Sequence, residues 1–177
     1  MFEIFKPKVY VNSIYNIDLK KLKEKQRIKG IIIDLDNTLV AWGGNKIDQK
    51  VINWVNEAKK LEFKLCIVSN TKSKRVEKFA KFLNIPYYSK FFKPCNTPFL
   101  NGLKILKTEK KETVVIGDQI FTDIWGGNRL KLTTILVKPI INRDSIGTFF
   151  KRNFERIILS YWLKRNLINL ENGDWPK

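Results

Sequence analysis

Short apolar runs that alternate with segments of helical periodicity are the feature of this sequence that most restricts its fold. The runs are residues 30–34 (GIIID), 63–69 (FKLCIVS), 113–117 (TVVIG) and 133–137 (TTILV). Runs of this length that are rich in isoleucine and valine and lead into polar residues are typical of buried strands in a parallel sheet. Their alternation with helices predicts βαβ units and a doubly wound α/β fold. Ligands of such sheets bind beyond the carboxyl ends of the strands.

The intervals between the runs have the sequence signals of helices. Asp48 is expected to cap a helix whose apolar residues recur at helical spacing over 51–61. The segment Ser73–Leu83 repeats this pattern, and Thr97 with Pro98 predicts the N-cap and first position of a third helix that ends at residue 106. The chain contains no linker, repeat or low-complexity segment, so residues 1–177 are expected to form a single domain.

The absence of histidine excludes several classes of catalytic site. Ser/His/Asp and Cys/His nucleophiles, HExxH zinc sites and phosphohistidine chemistry all need an imidazole, so acid–base catalysis would fall to carboxylates. Cys66 and Cys95 are too few for a disulfide framework and favour a reducing compartment, which predicts a cytoplasmic protein. No segment approaches the ~20 apolar residues of a membrane span.

The chain has 34 Lys and Arg against 17 Asp and Glu, a formal net charge of +17. This balance predicts attraction to polyanions, which include RNA, phosphorylated metabolites and anionic lipid surfaces. Because lysine, isoleucine and asparagine are abundant throughout, the charge is equally well explained as background composition.

Four aspartates follow two of the predicted strands. In an extended chain Asp34 and Asp36 would face the same side and converge at the mouth of the sheet, and Asp118 would reach the same edge. Close carboxylates repel one another unless a cation lies between them. The carboxylate oxygens of these aspartates are ligands of the kind that Mg²⁺ prefers. The alternatives are a solvated strand end for the DxD pair and a helix-start residue for Asp123.

Two further segments would lie at this edge. Ser69 and Asn70 close the second predicted strand, where a hydroxyl and backbone N–H groups suit a phosphoryl oxygen, although this pair is also an ordinary helix cap. Lys93 could neutralise a phosphate in the transition state, but position alone does not distinguish it among so many lysines.

These motifs resemble a known family. DLDNTL at residues 34–39, SN at 69–70, KP at 93–94 and GDQIFTDIWGGNR at 117–129 are similar, in order, to the four motifs of haloacid-dehalogenase-like (HAD) phosphatases. The last motif, with TILV after it and an opening like KPKVYVNSIYNI, resembles the YqeG-type subfamily IIIA and the mitochondrial phosphatidylglycerophosphate phosphatases. The resemblance implies a three-layer α/β/α Rossmannoid fold with a mainly parallel sheet.

The resemblance also implies roles for the motif residues. Asp34 would be the nucleophile that forms an aspartyl-phosphate, and Asp36 would protonate the leaving alcohol and then activate water. Mg²⁺ would be bound by Asp34, the backbone carbonyl of Asp36 and Asp118. The phosphoryl group would be bound by Thr38, Ser69, Asn70 and Lys93, with Asp123 in support.

The intervals between the motifs are too short for the cap domains that many HAD enzymes carry, so the site is expected to be open. An open site favours a macromolecular or membrane-bound substrate, and phosphatidylglycerophosphate is the favoured one. The alternatives are a soluble phosphoester, such as a sugar phosphate, nucleotide or phosphoprotein, and a basic RNA- or ribosome-associated binding protein without catalysis.

Residues 147–170 combine apolar and aromatic side chains at helical spacing with lysines and arginines. Such a basic amphipathic helix is typical of a protein bound peripherally to the inner face of a membrane. The alternative is that its apolar side packs on the sheet while its charges are solvated.

Overall fold

One parallel sheet organises the protein in a computed structural model that describes residues 3–90, 92–141, 146–168 and 170–171. Its strands in chain order are β1 (Val9–Val11), β2 (Gly30–Ile33), β3 (Lys64–Val68), β4 (Tyr87–Tyr88), β5 (Thr113–Gly117), β6 (Thr133–Val137) and β7 (Leu170–Glu171). Their order across the sheet is β4-β3-β2-β5-β6-β1-β7, and all paired neighbours are parallel. The central pair joins Ile31 to Val114 and Ile33 to Ile116, which places the ends of β2 and β5 at one edge.

Helices cover both faces of the sheet. They are α1 (Leu19–Glu24), α2 (Gln49–Lys60), α3 (Ser73–Leu83), α4 (Asn96–Leu106), α5 (Trp125–Arg129) and α6 (Ile146–Lys164). Ile31 and Ile33 face a core that includes side chains of α2 and α3, whereas Ile32 faces a second core formed with α4. This division follows from the alternation of side chains along a strand, and it makes β2 hydrophobic on both faces. The predicted three-layer α/β/α arrangement is therefore confirmed.

The four predicted strands are all present, and β5 and β6 have the predicted bounds. β2 ends at Ile33 rather than at Asp34, and β3 lacks the first and last residues of its predicted run. The sequence analysis did not predict β1, β4 and β7, which have only two or three residues each and so carry no periodic pattern.

The helix predictions were accurate except at the start of α4 and at the end of α6. Asp48 caps α2 by accepting a hydrogen bond from the Lys50 backbone N–H at 2.7 Å, and α3 covers the predicted segment. The prediction that Thr97 is an N-cap was wrong, because α4 begins at Asn96 with Cys95 as its N-cap. Pro98 still lies in the first turn, where a backbone N–H has no partner within the helix, so proline does not determine the first residue.

The helical segment that the sequence predicts over 147–170 is α6, whose side chains from residue 153 onward are described. The predicted end was wrong, because the helix stops at Lys164 and Leu170 belongs to β7. Trp162 is buried against Tyr10, Ile124 and neighbouring residues, and Phe121 donates a backbone hydrogen bond to Glu155 at 2.9 Å. Ile157 and Tyr161, by contrast, are exposed. The helix thus packs on the protein with one side and leaves apolar side chains on the other. The predicted apolar residue Phe150 lies outside the described side chains. No helix in the described part of the chain is both long and apolar enough to cross a membrane.

Candidate active site

The carboxyl ends of β2 and β5 bring Asp34 and Asp118 to the same edge of the sheet. Asp34 directly follows β2, and its backbone N–H donates to the Ile116 carbonyl of β5 at 2.9 Å. Asp118 directly follows β5. The shared edge that the sequence predicted for these two residues is therefore present.

A buried group of charges lies at this edge, formed by Asp34, Lys93, Asp118 and Asp123, and we call it the charge cluster. Lys93 Nζ lies 2.5 Å from Asp34 Oδ1 and 2.5 Å from Asp123 Oδ1. One oxygen from each of the three carboxylates lies within 4.8 Å of the others. With three carboxyl groups around one ammonium, the cluster can accept a further cation.

Electrostatics in the charge cluster favour additional positive charge. Burial raises the pKa of Asp34 well above its ordinary range; Lys93 opposes this shift, while Asp123 and Asp118 add to it. Burial alone would lower the pKa of Lys93, but its ion pairs with Asp123 and Asp34 outweigh that effect and raise it. Lys93 is therefore a permanent cation here, whereas ionisation of Asp34 is unfavourable until more positive charge arrives.

Asp123 reaches Lys93 from the π-helical segment Ile120–Ile124 that follows β5. Its Oδ2 accepts the Gln119 backbone N–H at 3.1 Å, so the carboxylate is held from two sides. A Cβ at Gly117 would lie 2.3 Å from Asp123 Cγ, and only glycine permits this close approach. Asp123 lies in the first turn of this helical segment and accepts the Gln119 N–H, so it stabilises the helix start, as the alternative predicted, and also forms an ion pair with Lys93.

Asp36 has different surroundings from Asp34. Its Oδ1 accepts hydrogen bonds from Arg75 Nη2 at 2.8 Å and Nε at 3.2 Å, and its Oδ2 accepts one from the Thr71 hydroxyl. Both partners belong to the chain segment that enters α3 and the first turn of that helix. Because β2 ends before either carboxylate, the alternation of an extended strand does not govern their directions.

The other predicted residues also lie at this edge. Asn70 Oδ1 accepts the Lys93 backbone N–H at 2.7 Å, and Asn70 Nδ2 donates to the Lys93 carbonyl at 3.2 Å, so Asn70 positions the lysine. The Thr38 hydroxyl donates to Asp118 Oδ1 at 3.4 Å. Ser69 is buried, and its Oγ accepts the Thr71 N–H at 3.2 Å. The N-cap of α3 is Lys72, so Ser69 and Asn70 do not cap that helix.

Three residues at the site were missed by the sequence analysis. Arg75 and Thr71 bind Asp36, and nothing in their spacing distinguished them from ordinary surface residues. Asn37 has a left-handed backbone with φ of 64°, and its side-chain oxygen accepts the N–H groups of Trp42 at 3.2 Å and Ile141 at 3.4 Å. Asparagine directly after DLD could have indicated this turn, because it adopts positive φ more readily than most residues.

A groove of about 460 Å³ adjoins the charge cluster, and we call it the cationic groove. The loops after β1, β2 and β6 form its walls, and it is lined by Thr38, whose hydroxyl donates to Asp118 of the charge cluster. Lys46, Lys50 and Lys138 line it, together with Asp48 and Tyr15. An anion bound at the charge cluster thus has an open, positively charged neighbourhood on one side.

Similar proteins were found by sequence and by structure. The sequence model of the family described as "Mitochondrial PGP phosphatase" matches residues 2–141. The Bacillus subtilis (strain 168) protein named "Probable phosphatase YqeG" is 41% identical over 169 residues, which cover 96% of this chain and 98% of that protein.

Among solved structures, an uncharacterized protein from Listeria monocytogenes serotype 4b superposes with a TM-score of 0.55 at 20% identity, covering 67% of this chain and 85% of that one. A HAD-superfamily hydrolase from Ehrlichia chaffeensis superposes with a TM-score of 0.50 at 17% identity, covering 75% of this chain and 98% of that one. At these identities the structural matches support the fold.

Proposed function

Since this chain belongs to the family described as mitochondrial PGP phosphatase and is a HAD-type phosphatase, we propose that it is a magnesium-dependent phosphomonoester hydrolase of phosphatidylglycerophosphate. The product would be phosphatidylglycerol, a step of phospholipid synthesis. We propose that residues 1–177 form one domain, with α6 as its C-terminal helix. The observation that carries the chemistry is the charge cluster, in which one lysine is shared by two of three buried carboxylates.

The donor set of the charge cluster fits Mg²⁺. Its carboxylate oxygens are hard ligands within 4.8 Å of one another, and the single ammonium leaves them with excess negative charge. Asp34, Asp118 and the backbone carbonyl of Asp36 would hold the ion, while Asp123 stays bound to Lys93. A bound Mg²⁺ would supply charge neutralisation for the phosphoryl oxygens.

In the reaction that we propose, an Asp34 carboxylate oxygen attacks phosphorus and the bond to the glycerol oxygen breaks. Asp36 gives its proton to that oxygen, so the alcohol leaves neutral and an aspartyl-phosphate remains. Asp36 then takes a proton from a water molecule as the water oxygen attacks the phosphorus. The bond between phosphorus and Asp34 breaks, which restores the Asp34 carboxylate and releases inorganic phosphate. Lys93, Ser69 and backbone N–H groups at the start of α3 would bind the phosphoryl oxygens throughout.

The form of the site supports a substrate that is not enclosed. Between Asp36 and Ser69 the chain forms a loop, α2 and β3, and between Asn70 and Lys93 it forms α3 and β4. Neither interval contains a separate domain that could cover the charge cluster. A terminal phosphate that projects from a bilayer on a glycerol headgroup could enter such a site from the membrane surface, with the enzyme bound peripherally.

The test is Mg²⁺-dependent phosphate release from phosphatidylglycerophosphate in mixed micelles, measured beside a soluble phosphate ester. Wild type is compared with Asp34→Asn, which keeps the side-chain shape and removes the nucleophile. We expect turnover of the lipid far above that of the soluble ester, lost without Mg²⁺ and lost in the variant.

The substrate, the covalent mechanism and the metal can each be rejected by a different result. Asp34-dependent turnover of soluble esters alone would retain the phosphatase and reject the lipid substrate. Full activity of Asp34→Asn would reject the covalent mechanism, and activity unchanged by chelation of Mg²⁺ would reject the metal.

A further inference from the structure

The carboxyl edge of the sheet carries exposed apolar side chains around the charge cluster. Trp42, Phe92 and Ile140 are 43%, 70% and 48% exposed, and we call these three the apolar rim. We propose that the apolar rim and the lysines around it are the surface by which this protein docks on a bilayer that contains anionic lipids. This inference rests on the proposed lipid phosphatase function and specifies which face of the protein meets the membrane.

Backbone contacts fix two members of the apolar rim beside the site. Asn37, the residue after Asp36, accepts the Trp42 N–H on its side-chain oxygen at 3.2 Å. The backbone carbonyl of the same Asn37 accepts the Ile140 N–H at 3.1 Å. The loops after β2 and β6 are therefore joined at one asparagine of the DLDNTL motif, and their exposed apolar side chains lie at the catalytic edge.

Phe92 is the third member and belongs to the loop after β4 that carries Lys93. It directly precedes Lys93, whose ammonium lies 2.5 Å from Asp34, and the Lys93 backbone is held by Asn70. A side chain that is 70% exposed at this position contributes little to the core. Exposing the apolar surface of Phe92, Trp42 and Ile140 to water is unfavourable in free energy. Contact of the apolar rim with an apolar phase removes this surface from water.

The charges around the apolar rim are complementary to an anionic surface. Exposed lysines lie in the loops at this edge and in the first turn of α2: Lys46, Lys50, Lys72, Lys90 and Lys138. None of these side chains forms an ion pair with a residue in the described ranges. The acidic residues of the charge cluster are buried, while Asp48 is exposed and caps α2. Ammonium groups without ion pairs, next to the apolar rim, are typical of a surface that binds at a membrane interface.

The outer side of α6 is the competing surface, with Phe154, Ile157 and Tyr161 exposed. Two of its aromatic rings already have partners, because Phe154 stacks on Phe121 at 5.8 Å and Arg165 lies 5.2 Å from the Tyr161 ring. Contact through the apolar rim would bring the charge cluster to the headgroup layer, where a phosphate of the lipid lies. The rim therefore accounts for binding and for access to the substrate together.

The test measures binding of the full chain to sedimented vesicles of phosphatidylcholine, with and without an equal part of phosphatidylglycerol. The rim variant is Trp42→Ala with Phe92→Ala and Ile140→Ala, and the matched control is Phe154→Ala with Ile157→Ala and Tyr161→Ala on α6. We expect wild type and the α6 variant to bind the anionic vesicles, and the rim variant to bind at least about tenfold more weakly, equivalent to about 1.4 kcal/mol. Hydrolysis of a soluble phosphate ester should be equal in wild type and the rim variant, which shows that the site is intact.

Binding lost in the α6 variant and kept in the rim variant would overturn the inference. So would equal binding of all three proteins, equal binding of wild type to vesicles without phosphatidylglycerol, or no binding by wild type. Because binding is measured without turnover, a protein that binds through the rim but does not hydrolyse phosphatidylglycerophosphate would reject the proposed substrate and retain the docking surface.

Discussion

Asp34 and Asp36 are separated by a single leucine, yet the protein places them in opposite electrostatic surroundings. Asp34 is buried beside two other carboxylates and shares one lysine with Asp123. Asp36 is partly exposed and bound by the Arg75 guanidinium and the Thr71 hydroxyl. The first site has excess negative charge, whereas the second carboxylate has a cation of its own.

This difference shows how two identical side chains can take different roles in one reaction. A carboxylate in a buried cluster with excess negative charge ionises more readily when a further cation binds beside it, and this is the physical reason for the metal dependence that we propose. The second carboxylate is held by Arg75 and Thr71 and is therefore positioned independently of that cluster. Pairs of carboxyl groups with divergent environments are the general arrangement for separated nucleophilic and acid–base roles.

The comparison is tested most strongly by exchanging each carboxylate for its amide. We expect Asp34→Asn to lower kcat by about 10⁴-fold or more on every ester, because no nucleophile remains. Asp36→Asn should lower kcat by about 10²- to 10⁴-fold on alkyl phosphates. Asp36→Asn should lower kcat far less on p-nitrophenyl phosphate, because the leaving group of that ester departs without a proton. Steady-state kinetics on both esters measures the contrast, and an equal loss on both esters in Asp36→Asn would contradict the separation of roles.

Removing the lysine of the charge cluster tests the claim that this region is anionic. In Lys93→Met the buried carboxylates of Asp34 and Asp123 lose their counterion, and we expect about 3 to 5 kcal/mol lower free energy of unfolding at neutral pH. Stability should partly return at mildly acidic pH, because protonation removes the repulsion. Activity should fall by about 10³-fold.

Urea unfolding at the two pH values measures the stability effect of Lys93→Met. The matched control is Lys81→Met, which breaks an exposed pair with Glu77 at 2.7 Å and should leave unfolding unchanged. Equal stability of Lys93→Met and wild type at neutral pH would show that this lysine does not offset the repulsion between the buried carboxylates.

The sequence predicted the part of the site that depends on the sheet. Asp34, Ser69 and Asp118 were identified because each follows a strand, and parallel strands deliver their ends to one edge. Lys93 was identified by its resemblance to a family motif, since its loop position carries no periodic signal. The partners of Asp36 were not predictable, because Arg75 reaches it across 39 residues of sequence, and that contact depends on how α3 packs on the sheet.

The same physical reason explains the differences in the fold. Long apolar runs specified β2, β3, β5 and β6, whereas β1, β4 and β7 are too short to show alternation. Their pairing depends on neighbouring strands, as in the parallel register of Tyr10 with Leu136 and Leu170. Packing against the rest of the protein also decides which aromatic residues of α6 are buried. Trp162 is buried, whereas Tyr161, its neighbour in sequence, is exposed.

A smaller effect is expected from Asp118, which belongs to the charge cluster but does not bond to phosphorus in the proposed reaction. Asp118→Asn should raise the Mg²⁺ concentration for half-maximal activity by at least about 10-fold, because the amide is a weaker ligand than the carboxylate. The Thr38 hydroxyl can still donate to the amide oxygen, so the local fold should persist. Titration of activity with Mg²⁺ measures the shift, and Asp48→Asn in the cationic groove is the control. A titration that matches wild type would contradict the assignment of Asp118 to the metal.

Arg75 is expected to affect catalysis only indirectly, through the position of Asp36. Arg75 also donates to the Gly44 carbonyl at 2.7 Å, so it connects Asp36 to the loop that carries Trp42. Arg75→Gln should lower kcat on alkyl phosphates by about 10- to 100-fold through misplacement of Asp36 and leave KM unchanged. Turnover of p-nitrophenyl phosphate should change little, and Arg75→Lys should recover part of the loss. Since Arg75 also lies 5.0 Å from the Phe79 ring, a purely structural role would lower thermal stability and impair both esters equally. A selective loss on the poor leaving group would therefore show that the second carboxylate owes its role to the arginine that holds it.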